Sequence, residues 1–240
     1  MPVEGSLRDR RRAQTVREIK DATLAQLAEA GPGALSLRAV ARSVGMTVQS
    51  IYHYFDSRDA LLTALVADAH HGLADAVQAA AEATRGRPPA ERRLAASVAY
   101  REWAITNRAG FLLLYGTPVP GFEPLPDGGT REAALRLATP FLDVVFDGWT
   151  AAELTAVPVG RGGEPLAEVT HPAIPLPAGA LALFTELRAR MHGLVMLELL
   201  GHLRPLHGHA PVLYTAAMNR MSDDIDELRR RAAQASFSAR

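Results

Sequence analysis

The sequence predicts an all-α fold, with a small N-terminal three-helix domain followed by a larger helical one. Three observations predict it. Apolar residues recur at three- and four-residue spacing along most of the chain, the pattern of helices with one buried face. No stretch shows the period-two alternation that a half-buried strand needs. Stretches rich in Pro and Gly, at 85–89, 116–129 and 158–179, punctuate the pattern where helices must stop.

In the first helix, Thr15 and Glu18 have the spacing of a capping box, although a start nearer Arg10 also fits. Val16, Ile19, Thr23 and Leu27 form its apolar stripe, and Gly31-Pro32-Gly33 ends it. Ser36 then caps a short helix, Leu37 to Val44, in which Leu37, Val40, Ala41 and Val44 face inward. Gly45 suits the left-handed position after a helix end. Thr47 caps a third helix, Val48 to Phe55, and Ser57 or Asp56 caps a fourth toward Ala81. Further helices are expected at about 90–107, 109–115, 130–155, 180–203 and 211–233. The expected domains are 1–58, with 1–14 as a basic flexible arm, and 59–240.

Composition narrows the function. A chain of 240 residues can bury one small core and one medium one. It is 48% hydrophobic and 22% charged, and no apolar run reaches the ~18 residues of a membrane span. The Arg-rich start lacks the apolar segment of a secretory signal. The absence of cysteine removes disulfides, thiolate metal sites and cysteine nucleophiles, and suits a cytoplasmic location. Net charge is zero but unevenly spread. Arg8, Arg10, Arg11, Arg12, Arg17 and Lys20 cluster at the start against Glu4, Asp9 and Glu18. Such a cluster can meet phosphate, or can stand as a solvated tail.

Two short helices joined by a tight turn containing glycine are the layout of a DNA-binding helix-turn-helix, whose second helix enters the major groove. Ile51 and Phe55, four apart, can pack inward against Val40 and Val44. Val48, Gln49, Tyr52 and His53 are left pointing away. Each has a use at DNA. Gln49 can pair bidentately with adenine and Val48 can touch a thymine methyl. Thr47, Tyr52 and Tyr54 can bond phosphate oxygens. Arg38 and Arg58 can clamp the backbone on either side and set the register.

The pieces Val40-Ala41, Gly45-Met46-Thr47, Ile51-Tyr52-His53-Tyr54-Phe55 and Arg58-Asp59-Ala60-Leu61 together closely resemble the N-terminal signature of the tetracycline-repressor (TetR) family. The resemblance implies a homodimeric repressor. Its first three helices bind an operator in double-stranded DNA, its fourth links the domains, and its C-terminal helices hold ligand and the dimer interface. In that family the positions of Arg38, Thr47, Val48, Gln49, Tyr52, His53, Tyr54 and Arg58 commonly face DNA. Lys is usual at the position of Arg58, and Arg keeps the charge.

The C-terminal half is similar to a TetR subgroup with Trp and His-Gly motifs, the WHG type. The stretches that carry this are Tyr100 to Trp103, Phe111 to Phe122, and Met191-His192-Gly193 with Gly201-His202. If the domain senses a small molecule, it needs a mostly apolar cavity with a few convergent polar groups. The candidate walls are Trp103, Phe111, Tyr115, Phe141, Phe146, Trp149, Met191, Met196 and Phe122 on the loop, with His192 or Asp143 as polar anchor. The same side chains can instead simply fill a helical core. Gly193 and Gly201, inside a helical pattern, suggest close helix contact. With Met196, Leu197, Leu200, Met218 and Met221 they form the stripes that, by the resemblance, pair with a second copy.

No nucleophile elbow, Walker A loop or dinucleotide fingerprint is present, so no enzyme and no cofactor are expected. The histidines at 70–71 and at 202, 207 and 209 lack zinc-site spacing, so no metal is expected. The effector stays unidentified. Two other readings stay open: an activator or ligand-independent regulator, and a helical adaptor that no longer engages DNA.

Overall fold

The structure, a computed structural model, describes residues 6–31, 33, 35–123, 125, 129–171 and 173–238. Among these it forms ten α-helices and no strand, with one isolated bridge between His171 and Ile174. The helices are α1 (Leu7–Ala30), α2 (Leu37–Ser43), α3 (Val48–Tyr52), α4 (Arg58–Ala83), α5 (Pro89–Thr106), α6 (Arg108–Tyr115), α7 (Thr130–Val145), α8 (Ala151–Thr155), α9 (Ala178–Leu199) and α10 (Ala210–Ser238). The chain is all-α, as its periodicity predicts. Among the described residues, no helix is long and apolar enough to cross a membrane.

Two compact units emerge. The first joins Met1–Gly72 to Thr106–Ala134, and the second joins Leu73–Ile105 to Leu135–Arg240. The expected cut at 58 coincides with the first residue of α4, a helix that contributes residues to both groupings.

In the first unit, Ile19, Val40, Ile51, Leu61 and Leu62 are buried together, with Val119 from the loop after α6 closing the cluster. Each aliphatic side chain of this size stabilises the core by about 1.5–3 kcal/mol. α6 packs against α1, so this helix belongs with the N-terminal residues.

The second unit is crossed by buried polar links as well as apolar contacts. Arg93 on α5 donates to Ser222 Oγ at 2.8 Å and Asp226 Oδ1 at 2.6 Å on α10. Arg101 forks onto Glu198 of α9, with Nε to Oε2 at 2.7 Å. The Tyr214 hydroxyl donates to the Ser97 carbonyl at 2.8 Å, and burial raises its pKa far above the usual phenol range. Buried polar groups must be paired, and here the pairs fix which helix faces meet. Gly179 lies so close to the Val157 carbonyl that a Cβ there would stand 1.9 Å from the oxygen.

Four expectations about elements are corrected. The first fourteen residues are not a flexible arm as a whole, because helix begins at Leu7. Ser6 accepts the Asp9 N–H at 3.2 Å while Asp9 accepts the Ser6 N–H at 3.0 Å, a full capping box. The expected helix over 130–155 is two, α7 and α8. The chain turns at Gly148, φ 71°, and a Thr150–Glu153 capping box restarts the helix. The Thr150 N–H donating to Glu153, reinforced by Arg229, holds that carboxyl below its ordinary pKa. α9 ends at Leu199 rather than 203, with Gly201 left-handed at φ 79° just beyond. Ser36 stands at the α2 cap without a hydroxyl bond to the first turn, and its own N–H donates to Gln26 at 3.2 Å.

Candidate nucleic-acid interface

α2 and α3 form the tight helix pair that the sequence predicts. α2 closes at Val44, and Gly45 takes φ 66°. The Met46 N–H returns to the Ala41 carbonyl at 2.8 Å, which turns the chain toward α3. Thr47, extended at φ −87° and ψ 156°, caps α3 by accepting the Ser50 N–H at 3.1 Å. Its hydroxyl also shares a 2.8 Å hydrogen bond with Ser50 Oγ. The following helix α4 is capped by Ser57, whose hydroxyl accepts the Ala60 N–H at 2.9 Å.

These caps fix which side of α3 is buried. Ile51 and Phe55 point into the core with Val40 and Ala41. Arg38, Thr47, Gln49, Tyr52 and His53 are exposed. Tyr52 keeps 41% of its surface in solvent, high for an aromatic side chain on a helix packed by its opposite face. Val48 is not fully outward as expected, and Tyr54 is placed likewise. Both are half-buried and touch the edge of the core. Arg58 is partly exposed at the start of α4, 3.8 Å from the Asp59 carboxylate. Exposed amide, hydroxyl and guanidinium groups beside a capped helix start can take up both base edges and phosphates.

One member of the N-terminal basic cluster is docked on this surface in a way the sequence reading does not foresee. Arg12 of α1 places its guanidinium 5.0 Å from the Tyr54 ring centre. Both its terminal nitrogens donate to the His53 carbonyl at 3.4 Å. Its spacing from Val16 and Ile19 on one helix face was the available signal.

The candidate ligand residues fall in both units. Phe111 and Tyr115 belong to the first unit, where their rings lie 5.0 Å apart and Tyr115 meets His70 edge-on at 6.1 Å. Trp103, Phe141, Phe146, Trp149, Met191 and His192 belong to the second. There Tyr100 meets Phe141 at 5.9 Å, and its hydroxyl shares a 2.9 Å hydrogen bond with His192 Nδ1. Phe146 meets Trp149 at 5.5 Å. Phe141 and Met191 are core residues. A cavity of about 520 Å³ in this unit is lined by Phe146 and Asp143 of the expected set, together with Arg92, Asp147 and Ile174. His192 lies outside that lining. Its pKa is lowered by burial and further by Arg188.

The expected dimer residues also divide. Leu197 and Leu200 are exposed, Met196 is half-buried, and a Cβ on Gly193 would meet open space. Met218 and Met221 differ from these in burial. They are buried within the unit itself, because the α10 stripe packs on its own neighbours. Gly201 lies just past the end of α9, in the left-handed region at φ 79°. Among the described residues, no cluster of three or more His, Asp or Glu could hold a metal ion.

Comparison with known proteins matches two consecutive stretches of the chain. The family model described as bacterial regulatory proteins, tetR family, matches residues 19–65, and that of the tetracyclin repressor-like C-terminal domain matches residues 93–221. The chain is 41% identical over 129 residues to the HTH-type transcriptional regulator Rv1816 of Mycobacterium tuberculosis, covering 54% of this chain and 55% of that one. The Mycobacterium bovis regulator Mb1846 matches with the same figures. The chain thus spans about half the length of the curated relatives it matches. A solved structure described as a regulatory protein, SCO4313, is similar with TM-score 0.73 and 31% identity, covering 90% of this chain and 98% of that one. A TetR family transcription regulator from Marinobacter aquaeolei VT8 shares the fold, with TM-score 0.60 at 20% identity over 89% of this chain and 97% of that one.

Proposed function

The chain belongs to the tetR family of bacterial regulatory proteins, and from that premise we propose that it is a homodimeric repressor released from its operator by a small molecule. It is a transcriptional regulator with a helix-turn-helix. The observation that carries the DNA reading to named residues is the outward face of α3. Gln49, Tyr52 and His53 stand in solvent while Ile51 behind them is buried. Gln49 and Val48 read bases. Arg38, Thr47, Tyr52, His53, Tyr54 and Arg58 hold backbone and groove edge.

Two-fold symmetry would set two copies of α3 about 34 Å apart, one turn of DNA. The exposed Leu197 and Leu200 and the open face at Gly193 support pairing through α9. An effector in the second unit would act through α4, whose single helix begins at Arg58 and ends at Ala83. It releases DNA only if it binds the released state more tightly than the bound one. The test is operator binding by the purified chain, using DNA upstream of its own gene, with and without a metabolite library. Release by at least one compound supports the reading. Binding that no compound alters favours a ligand-independent regulator.

A further inference from the structure

α1 reaches beyond the core it packs on. Ile19, Thr23 and Leu27 are its buried residues, and Val16 one turn earlier is half-buried. The next two positions on that same inward stripe are Arg12 and Arg8, and both are exposed. The face that is apolar where α1 meets its neighbours becomes basic where it passes them. Asp9, the nearest carboxylate in sequence, is taken up by the Ser6 N–H and hydroxyl at 3.0 and 2.8 Å. Arg12 is also docked. Stacked on Tyr54 and bonded to the His53 carbonyl, it sits at the C-terminal end of the helix that carries Gln49 and Tyr52.

We propose that Arg8 and Arg12 form a second phosphate-binding edge, which grips the backbone of duplex DNA beside the C-terminal end of α3. The proposal rests on the reading of α3 as the recognition helix. With α3 in the major groove, its C-terminal end approaches a groove wall, and the wall is phosphate. Tyr54 and the His53 carbonyl hold the Arg12 guanidinium in place, so less side-chain freedom is lost when phosphate arrives. Arg8, one turn earlier, extends the edge along the strand. These contacts carry no sequence information. They add affinity and salt dependence.

The test compares two double variants of the full chain that remove equal charge from opposite faces of α1. R8A/R12A alters the inward stripe, and R10A/R17A the outward one. Each is titrated on the DNA fragment the wild-type chain binds best, across roughly 50–200 mM salt. The expected result is that R8A/R12A flattens the salt slope by about 0.9 for each phosphate it no longer neutralises, lowers affinity about tenfold or more at the lower salt, where the counterion contribution is largest, and leaves base preference intact. R10A/R17A should stay near wild type. The proposal is overturned if R10A/R17A flattens the slope as much, or if R8A/R12A changes neither slope nor affinity. Arg58→Ala, run alongside, separates two failures. If it flattens the slope and R8A/R12A does not, only this edge is wrong. If the wild-type chain binds no duplex, the recognition-helix reading falls with it.

Discussion

Arg93, only 4% exposed along its side chain, is held by Asp226, whose carboxylate lies 2.6 Å away and is half in solvent. The two partners are therefore unequal. Removing Asp226 leaves a buried guanidinium with Ser222 as its remaining partner, and an uncompensated buried charge is costly. Replacing Arg93 by Met leaves a carboxylate that water can reach. Asp226→Ala should destabilise by about 3 kcal/mol and Arg93→Met by about 1 kcal/mol. Urea denaturation measures both, and the reverse order would contradict this reading of the pair.

His192 makes stability depend on pH. Burial lowers its folded pKa below the ordinary 6.5, and Arg188 adds to the shift. Between those two values the unfolded chain holds more protons than the folded one. Its contribution is therefore complete above pH 6.5 and is lost as pH falls through the folded value. His192→Asn keeps a donor or acceptor near the Tyr100 hydroxyl without titrating. Its urea midpoint should fall less than that of wild type between pH 7 and 5. Parallel curves would remove His192 as the source.

Thr47 serves both stability and binding. Thr47→Ala should cost about 1 kcal/mol through loss of the α3 cap. Thr47→Asp should restore the cap, since a carboxylate accepts the same N–H, while weakening DNA binding by repelling phosphate. If Thr47→Asp bound DNA as well as wild type, Thr47 would have no place at the backbone.

Gln49 and Arg58 should fail differently. Gln49→Ala should alter base preference, with a cost of about 1–3 kcal/mol at one position of the site. Arg58→Ala should weaken all sequences alike and reduce the salt slope by about 1. Binding selection from a random DNA pool reads the first, and a salt titration reads the second.

The N-terminal helices were legible because their ends are written in short-range chemistry. Gly45, Thr47 and Ser57 each do in the structure what their type and place predict. The start of α1 was harder, because Ser6–Asp9 and Thr15–Glu18 both have capping-box spacing. The Arg-rich turns between them are good helix formers, so the earlier box prevails. The Thr150–Glu153 box could have located the break before α8, but the apolar spacing around it reads straight through. Met218 and Met221 show a deeper limit. A stripe says which face of a helix is covered, not whether its own unit or a second copy covers it. Arg93 and Arg101 were invisible for a related reason. Hydropathy puts arginine outside, and only the meeting of distant helices supplies Asp226 and Glu198.

Reading of duplex DNA by α3 is tested most directly by anisotropy of a labelled fragment from upstream of the gene, titrated with the full chain against excess competitor DNA. Wild type should bind in a salt-dependent way and resist competitor, and Gln49→Ala should lose that preference while still binding at low salt. No binding by the wild-type chain at low salt, or a preference that Gln49→Ala leaves intact, would contradict it.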